Sequence, residues 1–155
     1  MRRILHRNMR SRTPKVVWNA CIAVGKTNSN ASLLVAPTLA SELFFNEETS
    51  KLLLDIIGSK PNIKARIQAI QALLCYEDIE QLGGPTILPE AWDTIIECFK
   101  FKTQFSGSAT ELNYMETFER GFLELWKTVT TMSMEQREST EMQSYLNSNS
   151  TFRLL

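Results

Sequence analysis

The chain of 155 residues carries 17 Lys and Arg against 17 Asp and Glu, and is 43% hydrophobic and 22% charged. That apolar content suffices for one compact domain or a few helical repeats and excludes a chain disordered throughout. No apolar run approaches the roughly 18 residues of a membrane span. Cys21, Cys75 and Cys98 show no C-x-x-C spacing, and His6 is the single histidine, so no metal site is expected.

The charge is uneven. Residues 1–41 hold seven bases and no acid, while residues 42–155 hold ten bases and 17 acids. Residues 1–13 therefore read as a basic, solvated N-terminal arm. An Arg-rich, acid-free start also suits a mitochondrial transit segment or contact with nucleic acid or an anionic membrane. Pro14 stands where a first helical turn tolerates it, and a helix is expected over 15–26. Val16, Val17, Ala20, Ala23 and Val24 share one face, Trp18, Cys21 and Ile22 the other, and only a strip with Lys15, Asn19 and Lys26 is polar. A helix apolar nearly all round is buried on both sides. An arginine-rich arm cannot cover it, so repeats upstream of this chain are expected, and exposed Trp18 and Ile22 should drive self-association.

Asn28, Ser29, Asn30 and Pro37 mark a loop enclosing a short helix. The next helix begins at Asn46 or Glu47, buries Leu53, Ile56 and Ile57, and stops at Gly58. Asn62 caps a helix running to about Cys75. Glu77 to Pro85 is a polar loop. Helices follow over 88–101, with Trp92, Ile95, Ile96 and Phe99 inward, and over 110–130, with Phe118, Phe122, Leu125, Trp126 and Val129 apolar. Ser133 to Gln136 fits a capping box for one more short helix, and residues 131–155 read as a capping helix with a flexible tail. No alternation supports a strand, so the fold class is all-α.

Lys15-Val16-Val17-Trp18-Asn19-Ala20-Cys21-Ile22-Ala23-Val24 recurs as Lys64-Ala65-Arg66-Ile67-Gln68-Ala69-Ile70-Gln71-Ala72-Leu73, 49 positions on. A weaker match sets Gly121 on Ala69 and Leu125 on Leu73. Periods of this size mark stacked helical arrays, whose function resides on a surface. Helix pairs with a small residue at a fixed place in the second helix look like HEAT repeats. More narrowly, Lys15 to Cys21 with Ala23 and Gly25 resembles the K-V-R-W-N-x-C-x-A-x-G stretch of the HEAT repeat-containing protein 6 family. Asn62-Ile63-Lys64-Ala65-Arg66-Ile67 with Ala72-Leu73 resembles its next repeat helix. The Trp92 helix and the loop before Leu112-Asn113-Tyr114 keep similar order. Val17 departs from the family's arginine, which puts an Asp–Arg ladder in question at the first unit; Arg66 keeps it. The resemblance implies a HEAT/armadillo-like α-solenoid fragment of about two and a half repeats over 14–130, from the C-terminal part of a longer array.

Catalytic chemistry finds no foothold. Gly25-Lys26-Thr27 has Ala20 where a phosphate-binding loop needs glycine, so a glycine at a helix C-terminus is the better reading. Cys21 lacks a paired histidine. Glu77, Asp78 and Glu80 read as solvated surface. Asn30-Ala31-Ser32 and Asn149-Ser150-Thr151 match the glycosylation pattern with no secretory signal beside them. Met132, Met134 and Met142 could form a soft binding face. The expectation is a non-enzymatic, intracellular interaction scaffold without catalytic residues, cofactor or metal, for protein partners the sequence does not identify. Its candidate protein-binding strip is Lys15, Asn19, Lys26, Lys64, Gln68 and Gln71. The alternative is a nucleic-acid- or anionic-membrane-associated subunit using the basic start.

Overall fold

The structure, a computed structural model, describes residues 2–31 and 46–153; of residues 30, 31 and 149–153 it describes the helical backbone alone. The described residues form α1 (Arg2–Met9), α2 (Pro14–Ala31), α3 (Glu47–Ser59), α4 (Ile63–Leu73), a 3-10 turn (Pro85–Ile87), α5 (Leu88–Gln104) and α6 (Ala109–Arg153), with no strand among them. The chain is all-α over this span.

Local chemistry sets most of the boundaries. The Thr13 carbonyl accepts from the amides of Val16 and Val17 at the start of α2. Asn46 Oδ1 accepts from the Thr49 amide at 2.9 Å, and Glu47 and Glu48 lie in the first turn of α3, where the helix dipole favours negative charge. Asn62 Oδ1 accepts from the Ala65 amide at 3.0 Å to open α4. Ser108 Oγ accepts from the Glu111 amide at 3.3 Å at the head of α6. Gly83 and Gly84, at φ 108° and 102°, supply a left-handed turn that other residues rarely adopt.

The helices pack in two rows. α1 packs on α2, α3 on α4 and α5 on α6; along one row α1 meets α3 and α3 meets α5, and along the other α2 meets α4 and α4 meets α6. The 49-residue match recurs in burial. Val17, Arg66 and Phe118 are buried, as are Cys21, Ile70 and Phe122, and Val24, Leu73 and Leu125. Ala20 and Ala69 are both buried, and Gly121, at the third equivalent place, approaches Ile70 closely. One apolar interior therefore runs between the rows.

Arg66 ties one pair together. Its Nη1 donates to the Ile57 carbonyl at 2.8 Å and its Nε to the Lys60 carbonyl, while its guanidinium lies 3.8 Å from the centre of the Phe101 ring. It satisfies carbonyls left without intrahelical partners at the end of α3. Val17 at the equivalent place is simply a buried apolar residue.

Several expectations are corrected. The segment read as a solvated arm holds α1, with His6 and Met9 buried. His6 Nε2 is 2.8 Å from Thr49 Oγ1, and Nδ1 is 3.2 Å from Glu48. Cover for α2 therefore comes partly from within residues 1–13, and the described helices make three pairs, not two and a half. α2 runs through Asn28–Asn30 to Ala31; Pro37 and the short helix expected beside it lie outside the described residues. α3 passes through Gly58 to Ser59, and α4 ends at Leu73. The separate capping helix and loose tail are one continuous α6 as far as Arg153. No glycine or proline follows Gly121 to stop it, and Ser133, instead of capping, accepts from Trp92 Nε1 at 3.1 Å. Ile96 and Trp126 face outward, 51% and 43% exposed, and Phe99 is partly exposed, while Trp18 and Ile22 are half-buried, so the barer apolar side chains lie elsewhere than at Trp18 and Ile22.

Candidate interaction groove

The row α2, α4, α6 presents its side chains on one face. At its middle lies a cavity of about 360 Å³ walled by Trp18 and Ile22 of α2, Lys64, Ile67, Gln68 and Gln71 of α4, and Tyr114 and Thr117 of α6. A second cavity, of about 390 Å³, shares Ile22, Gln68 and Gln71 and extends past Lys26, Ser29 and Cys75. Adjoining through these shared walls, the two make up a groove that spans three helices. Four of the six strip residues line it: Lys26, Lys64, Gln68 and Gln71. Lys15 and Asn19 are exposed in the first turns of α2 but line neither cavity.

Small residues permit the groove. A Cβ on Gly25 would stand 3.3 Å from the Ala72 Cα, so α2 and α4 meet backbone to backbone at its floor. Gly25 is thus a close-approach glycine inside α2, not the helix terminus expected from sequence. Lys64 Nζ lies 5.4 Å from the centre of the Trp18 ring and 4.8 Å from that of Tyr114. Each ring face attracts a cation by roughly 0.5–1 kcal/mol at such exposure. Trp18 and Tyr114 were not among the strip residues. Trp18 stands three positions from Lys15, at the border of the polar strip, which is a usable signal; Tyr114 stands 50 positions from Lys64, and only the tertiary structure brings it there.

The remaining motifs separate cleanly. Gly25-Lys26-Thr27 is helical, with Thr27 Oγ1 donating to the Ala23 carbonyl at 2.8 Å, so its amides are not free to cradle a phosphate. Burial pushes the Cys21 and Cys98 thiols up to about 12, which keeps them as thiols near neutrality. Cys75 is half-buried with Sγ 3.1 Å from Ser29 Oγ, and all three cysteines are unbridged. Glu77, Asp78 and Glu80 are exposed, and Asp78 Oδ1 accepts the Gln81 amide at 2.9 Å within its own turn. Met132 is buried while Met134 and Met142 are exposed, so the three do not form one face. The side chains of both glycosylation patterns lie outside the described residues. Among the described residues no group of three His, Cys, Asp or Glu side chains is placed to hold a metal ion, and no helix is long and apolar enough to cross a membrane.

Comparison with family models, with curated proteins and with solved structures finds no match to this chain.

Proposed function

We propose that this chain is a segment of a HEAT-like α-solenoid that works as a non-enzymatic protein-interaction scaffold inside the cell. The two-row packing supports it, as does the return of burial at equivalent places in α2, α4 and α6. The resemblance to the HEAT repeat-containing protein 6 family belongs to the same reading. The observation that carries the function is the groove: long amide, ammonium and aromatic groups from α2, α4 and α6, the helices of one row, line two adjoining hollows with no carboxylate among the described wall residues. Such a surface suits an extended segment better than a small substrate. Three unbridged cysteines agree with a reducing compartment.

Affinity purification of the tagged chain followed by mass spectrometry tests it. A Lys64→Glu, Gln68→Ala double variant is expected to lose a defined subset of partners while keeping its helical circular dichroism. Unchanged recovery of every partner would show the groove to be inert.

The exposure of Arg2, Arg3, Arg7, Arg10 and Arg12, on a segment whose His6 and Met9 are buried, favours a second reading: contact with nucleic acid or an anionic membrane. It predicts binding that falls steeply with salt and that weakens when Arg2, Arg3 and Arg7 become glutamine, which spares the buried face of α1.

A further inference from the structure

We infer that the groove takes an extended acidic peptide of a partner protein, with an Asp or Glu carboxylate seated on Lys64 and a neighbouring apolar side chain on Ile22 and Ile67. This rests on the scaffold reading and adds the chemistry of the partner. Lys51, Lys100 and Lys102 each lie within ion-pair distance of a glutamate. Lys64 and Lys26 have no such pairing among the described residues, and Lys64 is instead held by two aromatic faces. A cation positioned by rings and not by a carboxylate has N–H donors to offer an incoming acceptor. Among the described residues the groove walls carry two ammonium groups and no acid, so the complementary ligand is anionic.

The rest of the lining decides which anion. Arginine, whose planar fork matches phosphate, is not among the described wall residues. A point charge beside an apolar floor suits a carboxylate. Gln68 and Gln71 each offer a donor and an acceptor to the main chain of an extended peptide, and the cavity of about 360 Å³ has room for a few side chains.

The test is fluorescence anisotropy of the full chain with labelled peptides alternating Glu and Leu, alongside counterparts with Gln, Lys or phosphoserine in place of Glu. The Glu peptide is expected to bind about tenfold more tightly than the Gln one, as one charge-assisted contact implies. Lys64→Met, which keeps the hydrocarbon stem, should abolish that difference while leaving the Gln peptide unaffected. Lys64→Glu should turn the preference towards the Lys peptide. Equal binding of the Glu and Gln peptides by the wild-type chain, or tighter binding of the phosphoserine peptide, overturns the carboxylate assignment without needing any variant. If the partners recovered by purification still depend on Lys64 and Gln68 in that event, the scaffold reading survives; if they do not, both fall.

Discussion

Arg66→Met is the most exacting test of how α3 and α4 are held together. The substitution keeps the unbranched stem but removes the donors to the carbonyls of Ile57 and Lys60. Hydrogen bonds to a charged group contribute about 1.5–3 kcal/mol each. Lys60 is half-exposed, so water can replace the guanidinium at its carbonyl; Ile57 is fully buried, and its carbonyl is left unpaired. Losing the contact with the Phe101 ring adds about 0.5–2 kcal/mol, and relief from burying a charge returns part of the total. The net loss is about 2–3 kcal/mol, which corresponds to a Tm lower by roughly 4–12 °C for a chain of this size. Urea titration followed by both circular dichroism and tryptophan fluorescence measures it, with the slope expected to stay unchanged. Arg66→Lys should fall between, since one ammonium cannot reproduce the fork. A variant within about 0.5 kcal/mol of wild type, the scatter expected of surface substitutions, would refute the assigned role.

The other expectations are independent of this one. Gly25→Val should destabilise by about 1–3 kcal/mol through overpacking against the Ala72 backbone, and a thermal melt equal to wild type would show that α2 and α4 can part freely. His6 is held below the usual histidine range, chiefly by burial and less by Arg10 and Arg2, with Glu48 acting against it. The unfolded chain therefore takes up the proton first, and the stability His6 contributes is present above about pH 6.5 and lost as pH falls through the lower folded value; urea midpoints at pH 7.5 and 5 should converge for His6→Gln relative to wild type. Under native conditions a thiol reagent should modify Cys75 first, with Cys21 and Cys98 reacting only after unfolding, as peptide mapping would show. Removing residues 135–155 should lower the helical signal yet shift Tm by no more than about 2–4 °C, one kcal/mol at this size, because residues 137–148 are exposed throughout; a larger drop would mean that the end of α6 is packed.

Local chemistry was legible in the sequence. Asn62 caps its helix as read, and Asn46, one of the two starts offered for the helix before it, does the same, because an asparagine oxygen reaches an amide three positions on, whatever the rest of the chain does. The match between Lys15–Val24 and Lys64–Leu73 was equally plain, and with it the alignment of Ala20 with Ala69 and Cys21 with Ile70, because equivalent helices bury equivalent faces. Tertiary contacts decided what local pattern left open. Arg2–Met9 became a packed helix with one buried edge because His6 meets Thr49, 43 positions away, which no window of sequence contains. Ser133 carried a capping pattern, but Trp92 claims its hydroxyl and α6 runs on. Lys64 could be placed on a polar strip from its spacing, while its seat between Trp18 and Tyr114 exists only once three helices stand side by side. Hydrogen bonds within a turn are written in adjacent residues; a site shared by distant helices is created by the packing that joins them.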